Sequence, residues 1–176
     1  MIIEPQEIPG CFLIHPEPMV DDRGFFARVF SVEEFAVVGM VTEIAQINLA
    51  RSETAGTLRG IHWQAAPFEE AKLVRCVRGS VFDVCVDLRP GSGTWGRSVG
   101  VELSSQNHLA LYVPPGCGHG YLSLEEGSEV IYSTSAPYMP DAERGARWDD
   151  PAFDIDWPIT EGPTLSEKDS TWPDLS

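Results

Sequence analysis

Apolar and polar positions alternate along this chain far more often than they recur at helical spacing. Residues Lys72–Arg78 alternate in this way. So do Ser80–Leu88, with Val81, Asp83, Cys85 and Asp87 on one face and Phe82, Val84, Val86 and Leu88 on the other. The same pattern predicts strands at Ser98–Leu103, Leu109–Val113 and Glu129–Ser135, separated by turn signals at Arg78-Gly79, Pro90–Gly96, Pro114-Pro115-Gly116 and Glu126-Gly127. One short helix is predicted at Val32–Val38. Ser31 stands at its N-cap, Glu34 follows at capping-box spacing, and Gly39 ends it. Many short antiparallel strands joined by tight turns make an all-β sandwich or barrel with one or two short helices. The stretch from Pro137 is rich in Pro, Asp and Trp and predicts an irregular wrap rather than a tail, because Trp148, Trp157 and Trp172 need apolar surface to pack on.

Length and composition narrow the picture. At 176 residues and 43% hydrophobic the chain is expected to form one domain over 1–176 with a real core. No apolar run approaches the roughly 20 residues that span a bilayer. The opening Met1-Ile2-Ile3-Glu4-Pro5 has no export pattern, so a cytoplasmic location without a membrane partner is expected. With 27 acidic and 12 basic residues the net charge is −15, which argues against nucleic acid as a partner. Basic residues nevertheless gather at Arg51, Arg59, Lys72, Arg75 and Arg78. They are either outward strand positions, the favoured reading from charge alone, or the seat of a small anion. Cys11, Cys76, Cys85 and Cys117 show no paired spacing, and Cys76 and Cys85, inside apolar strand patterns, read as buried thiols. Asp83 and Asp87 either face solvent, which is favoured, or point into a cavity with partners.

Two histidines have settings suited to chemistry. His62 lies in Gly56-Thr57-Leu58-Arg59-Gly60-Ile61-His62-Trp63-Gln64, and strict alternation puts Arg59, Ile61 and Trp63 on one face with Leu58, His62 and Gln64 on the other. His119 lies in the glycine-rich corner Pro114-Pro115-Gly116-Cys117-Gly118-His119-Gly120-Tyr121. His15 and His108 read as surface residues. A cupin-type metal site would want a second histidine where Gln64 stands, which leaves only a spacing-free triad of His62, His119 and a carboxylate. Acid–base chemistry fits better. A histidine suits proton transfer near neutral pH, mid-strand Tyr132 is a possible opposing acid, and Lys72 could hold a developing oxyanion.

Several segments in order resemble the dTDP-4-dehydrorhamnose 3,5-epimerases. They are Asp22-Arg23-Gly24-Phe25-Phe26, Leu58–Gln64, Lys72-Leu73-Val74-Arg75, Gly79–Val84, Pro114-Pro115-Gly116 with His119-Gly120, Glu143-Arg144-Gly145, Trp148-Asp149-Asp150-Pro151 and Leu165-Ser166-Glu167-Lys168-Asp169. The resemblance implies a cupin-type double-stranded β-helix, or jelly roll, that uses no metal and no cofactor. It implies a homodimer in which the N-terminal segment completes the partner's site, giving Arg23 and Phe26 a role there. The substrate it implies is a nucleoside-diphosphate 4-keto-6-deoxyhexose, epimerised at C3 and/or C5, most simply dTDP-4-dehydro-6-deoxyglucose to dTDP-4-dehydrorhamnose. By the same resemblance His62 is the base, held by Asp169. Tyr132 is the acid and Lys72 stabilises the enolate. Gln46, Asn48, Arg59, His119, Glu143 and Lys168 match binding positions.

Some positions depart from the family pattern. Gln46-Ile47-Asn48-Leu49 replaces Gln-Asp-Asn-His. Arg28 stands where a nucleoside-reading glutamate is usual, which keeps it among the candidate binding residues, and Ser133 follows Tyr132 in place of lysine. Cys117-Gly118 replaces the usual phenylalanine segment before His119. Epimerisation at C3 only or C5 only on another nucleotide sugar, and a non-catalytic sugar-binding jelly roll, are the alternatives.

Overall fold

The protein is described by a computed structural model covering residues 1–153, 155–159 and 161–175. Two antiparallel sheets carry the fold. The first has six strands in the order β1 (Ile2–Pro5), β2 (Phe12–His15), β10 (Ala110–Val113), β7 (Lys72–Arg78), β12 (Ser128–Thr134) and β5 (Gln46–Ser52). The second has five: β13 (Glu143–Gly145), β6 (Leu58–Gln64), β11 (Cys117–Ser123), β8 (Ser80–Asp87) and β9 (Ser98–Ser104). A separate hairpin joins β3 (Met19–Asp21) to β4 (Gly24–Phe26). This is the cupin-type jelly roll that the resemblance implies, with helices α1 (Val32–Val37) and α2 (Glu167–Ser170). The strand expectations in the middle of the chain hold to within a residue or two at each end. The short strands β1–β4 and β13, with too few alternations to show a period, and the longer β5 were not foreseen.

Both faces of each sheet carry buried apolar residues because each has a cover. Between the sheets lie Val74, Cys76, Val81, Cys85, Leu103, Leu111 and Val130. The outer face of the six-stranded sheet, at Ile14, Ala110 and Tyr112, is capped by Phe35 of α1 and by Met40. The outer face of the five-stranded sheet, at Leu58, Val84, Val86 and Leu122, is covered by the C-terminal wrap through Ala146, Phe153 and Trp157. Trp157 sits edge-on to Phe82 with its indole N–H donated to the Trp148 carbonyl at 2.8 Å. Burying such a ring removes roughly 200 Å² from water, a gain of about 5 kcal/mol before entropy.

That cover corrects one expectation. With the wrap on the Phe82/Val84/Val86 face, Asp83 and Asp87 turn inward between the sheets, and both are fully buried. Asp83 accepts from His119 Nε2 at 2.8 Å. Asp87 accepts from Arg89, Ser92 and Thr94. Burial alone would push the Asp87 carboxyl up, but these donors outweigh it and hold it well below its ordinary value. Its contribution to stability is therefore present at neutral pH and lost as pH falls through that lowered value.

Strict alternation also fails in β6. The β6–β11 register shifts between His119 and Tyr121, so His119 faces His62 while Tyr121 faces Arg59. The irregularity centres on Gly60, and it turns Arg59 to the same side as His62 while Leu58 and Ile61 join the outer cluster. Gly60 has φ +135°, and a Cβ there would stand 2.4 Å from Gly120 Cα. Gly60→Ala is expected to cost at least about 2 kcal/mol through backbone strain and overpacking. Urea unfolding checks this; a midpoint unchanged from wild type would contradict it.

Helix α1 keeps its expected cap, the Ser31 side chain accepting from Glu34 N–H at 3.3 Å. The reciprocal half of the capping box is absent because Glu34 is drawn instead to the Met1 ammonium and to Arg28.

Candidate active site

A two-lobed cleft opens between the sheets, with lobes of about 310 and 270 Å³. His62, Lys72 and Tyr132 line both lobes. Gln46, Asn48, Gln64, Glu70, Tyr138 and Glu143 line the first, and Arg59, His119, Tyr121, Ser166, Lys168 and Asp169 the second. His62 comes from the five-stranded sheet. Lys72 and Tyr132 come from the six-stranded sheet on neighbouring strands, where Tyr132 pairs with Val74.

His62 is oriented from the C-terminal wrap. Its Nε2–H donates to Asp169 Oδ1 at 2.5 Å, so this bond selects the tautomer whose Nδ1 carries the lone pair. Asp169 is buried on α2, where Ser166 caps the helix by accepting from Asp169 N–H at 3.0 Å. Burial pushes the Asp169 carboxyl up, but the His62 bond and charge, with Ser166 and Trp172, overcome it and hold it below the ordinary range. Asp169 is thus ionised at neutral pH, the state that orients a neutral imidazole and stabilises an imidazolium. Trp172 packs against the His62 ring with centroids 6.1 Å apart. It reaches that place only because residue 145 is glycine, where a Cβ would fall 2.2 Å from the indole.

Tyr132 is half-buried, and its phenol is shifted upward first by desolvation and then by the Glu70 charge, against an opposing pull from Arg59. It is therefore a protonated donor at neutral pH. The Lys72 ammonium is nearly buried, 3.2 Å from Glu70 Oε1 and 3.4 Å from the His62 carbonyl to which it donates. A base on one sheet, a protonated phenol on the other and an ammonium beside both can move a proton across a carbon next to a carbonyl.

The remaining expected residues divide into two groups. Gln46, Asn48, Arg59, His119, Glu143 and Lys168 all line the cleft with the central three. Glu143 accepts from Lys168 Nζ at 2.5 Å and from the Tyr138 hydroxyl at 2.6 Å, while Lys168 sits over the Trp172 ring. Arg23, Phe26 and Arg28 do not enter this cleft. Arg23 is exposed and paired with Asp21, Phe26 is exposed, and Arg28 lies 3.5 Å from Glu34. Of the five clustered basic residues only Arg59 and Lys72 reach the cleft. Arg51 and Arg78 pair with Glu129, and Arg75 donates to the His108 carbonyl.

The family departures fall outside the cleft wall. On β5 the side chains of Gln46, Asn48 and Ala50 face the cleft, whereas Ile47 and Leu49 are exposed on the opposite face. Ser133 lies on the face of β12 away from Tyr132, toward Phe35.

Among the cleft residues that sequence pattern does not mark are Tyr121, Tyr138, Gln64 and Glu70. Tyr121 is buried, its phenol pushed up to about 12 mainly by burial, and its hydroxyl has no hydrogen-bond partner among the described residues. Tyr138 stands at the mouth. Gln64 occupies the position where a metal site would want histidine. It is a buried hub, accepting from Met139 N–H at 2.6 Å and donating to Glu70 at 2.7 Å and to the Phe68 and Pro137 carbonyls. Glu70 is the fourth, and the signal for it was its place two residues before Lys72, on the same face of an extended chain. Among the described residues, no three or more His, Cys, Asp and Glu side chains are grouped to hold a metal ion.

Fold and site together define a jelly-roll protein with acid–base residues facing each other across a sugar-sized cleft. The family model described as dTDP-4-dehydrorhamnose 3,5-epimerase matches residues 5–176, and the chain belongs to that family. A dTDP-4-dehydrorhamnose 3,5-epimerase of Sinorhizobium fredii is 46% identical over 99% of this chain and 90% of its own. The crystal structure of the Elizabethkingia anophelis dTDP-4-dehydrorhamnose 3,5-epimerase superposes with a TM-score of 0.95 at 36% identity, covering 99% of this chain and 96% of that one. A Legionella pneumophila dTDP-6-deoxy-D-glucose-3,5-epimerase, solved in complex with dTDP-4-keto-L-rhamnose, gives a TM-score of 0.92 at 36% identity over 99% and 92% of the two chains.

Proposed function

We propose that this chain epimerises dTDP-4-dehydro-6-deoxyglucose at C3 and C5 to dTDP-4-dehydrorhamnose, through enolates formed next to the C4 ketone. The observation that carries this reading is the placement of His62 and Tyr132 on opposite sheets of one cleft, with Lys72 lining it beside both. The ketone acidifies the hydrogens at C3 and C5. His62 Nδ1 removes one, Asp169 stabilises the imidazolium, and Lys72 donates to the developing enolate oxygen. Tyr132 returns a proton to the opposite face, which inverts the centre, and solvent restores both groups. Arg59 and Lys168 supply positive charge and donors suited to a diphosphate, and His119 lines the same lobe. Residues 1–176 act as one domain in this reading, supported by sheets that draw strands from both halves of the chain. Proton NMR in deuterated water tests it. Substrate-dependent exchange at both C3 and C5 is the expected result; exchange at one centre would reduce it to a mono-epimerase, and none on this substrate would reject it.

The same proposal includes a homodimer in which the β3–β4 hairpin enters the partner's cleft. Its support is the exposure of Met19, Val20, Phe25 and Phe26 on the hairpin and of Ile47 and Leu49 on edge strand β5. Mixing a Phe26→Ala chain with a His62→Ala chain, each deficient alone, is expected to restore up to about a quarter of wild-type activity in a two-fold dimer. No recovery after subunit exchange would place the hairpin's action in its own chain's site. A cytoplasmic location is also proposed, supported by four buried free cysteines. Among the described residues, no helix is long and apolar enough to cross a membrane.

A further inference from the structure

Glu70 is a carboxylate with only 10% of its side chain exposed, lining the cleft lobe that also holds His62 and Tyr132. One oxygen meets the Lys72 ammonium at 3.2 Å, and the other accepts from Gln64 Nε2 at 2.7 Å. Gln64 is itself 3% exposed and tied to three backbone groups, at Phe68, Pro137 and Met139. Glu70 is therefore anchored to the scaffold on one side and to a mobile four-carbon cation on the other.

We propose that Glu70 is a positioning residue for the reaction, fixing the Lys72 ammonium where the two lobes of the cleft meet. A buried ammonium without a carboxylate is held poorly and turns toward any acceptor. Among the described residues Lys72 has one other acceptor, the His62 carbonyl at the longer distance of 3.4 Å. The groups facing Lys72 and Tyr132 come from every wall: Arg59 and His62 on β6, His119 and Tyr121 on β11, Glu143 on β13, and Lys168 and Asp169 on α2. Of the carboxylates among them, Asp169 is engaged by His62 and Glu143 by Lys168, which leaves Glu70 as the partner of Lys72. Its negative charge also reaches Tyr132 and favours the protonated phenol. The inference rests on the functional reading above for its kinetic consequences, but not for its structural one.

The test is Glu70→Gln in the full-length protein, which keeps the shape and removes the charge. The chain has two lysines, Lys72 and Lys168, so ¹³Cε-lysine labelling yields two signals that a Lys168→Arg sample assigns. Without substrate, Glu70→Gln is expected to move the Lys72 signal and leave that of Lys168 in place. With dTDP-4-dehydro-6-deoxyglucose, kcat is expected to fall about 10–100-fold from misplacement of the ammonium, KM to stay within about twofold, and the alkaline limb of the kcat profile to move to lower pH. Glu70→Asp, which retains the charge one methylene further back, is expected to keep the alkaline limb near wild type while losing part of kcat; it also serves if Glu70→Gln does not fold. An unmoved Lys72 signal, or wild-type kcat with an unmoved alkaline limb, overturns the proposal. If the wild-type protein exchanges no hydrogen on this substrate, the functional reading fails, and the lysine spectrum still decides for or against Glu70.

Discussion

Replacing His62 by alanine is expected to lower turnover of the keto-sugar about 10²–10⁴-fold, the usual worth of a positioned general base. Hydrogen exchange from C3 and C5 into deuterated water should fall with it, because no other cleft residue offers a basic nitrogen in the same setting. Among the described residues His119 is the only other histidine in the cleft, and its Nε2 is committed to buried Asp83. The loss should fall on kcat more than on KM, since His62 meets the reacting hydrogen and not the diphosphate. Asp169→Asn should reproduce part of the defect. It removes the charge that stabilises the imidazolium, and the amide can present its NH₂ to Nε2 and so select the other tautomer. A His62→Ala protein with wild-type exchange would remove His62 from the chemistry altogether. Thermal unfolding in parallel separates chemistry from folding, because His62 is part-exposed and its truncation should leave the core intact.

The second large effect concerns Tyr132, and it differs in kind. Tyr132→Phe leaves the base, its aspartate and the ammonium in place, so the first half-reaction survives. Hydrogen should still be exchanged from the His62 face, with deuterium returned to the face it left. Inversion, which needs a donor on the other sheet, should fall about 10²–10⁴-fold. The variant is therefore expected to label the substrate without converting it. Loss of exchange and inversion to the same degree would mean that Tyr132 acts in proton removal or binding instead of reprotonation. Full inversion would point to another donor, for which Tyr121, buried in the second lobe with an unpartnered hydroxyl, is the first to replace.

The middle of the chain could be read from its alternation because both faces of β7, β8, β9 and β12 meet defined layers. What could not be read was which face met which layer. In β8 the carboxylates Asp83 and Asp87 alternate with Phe82, Val84 and Val86, and local pattern favours putting charges outside. The answer depended on Phe153 and Trp157, some seventy residues away, covering the apolar face, and on His119 and Arg89 to satisfy the carboxylates inside. Strict alternation puts Arg59 on the wrong face of β6 because the β6–β11 register shift at Gly60 breaks the two-residue period, and the shift is set by the pairing partner. His62, Lys72 and Tyr132 stood out by residue type and setting. Asp169 could be found only by resemblance, since 107 positions separate it from His62. Glu70 carries no mark of its own among 27 acidic residues, and Gln64 shows in the sequence only as the place of a missing metal ligand. Their importance lies in what they hold.

The measurement closest to the centre of this mechanism follows both label and product in the Tyr132→Phe protein, by proton NMR of dTDP-4-dehydro-6-deoxyglucose in deuterated water. Deuterium entering C3 or C5 with the starting configuration retained is the expected result, and it would assign return of the proton to Tyr132 and removal to a base on the opposite face. Inverted product forming at the wild-type rate would contradict the two-sided arrangement of base and acid.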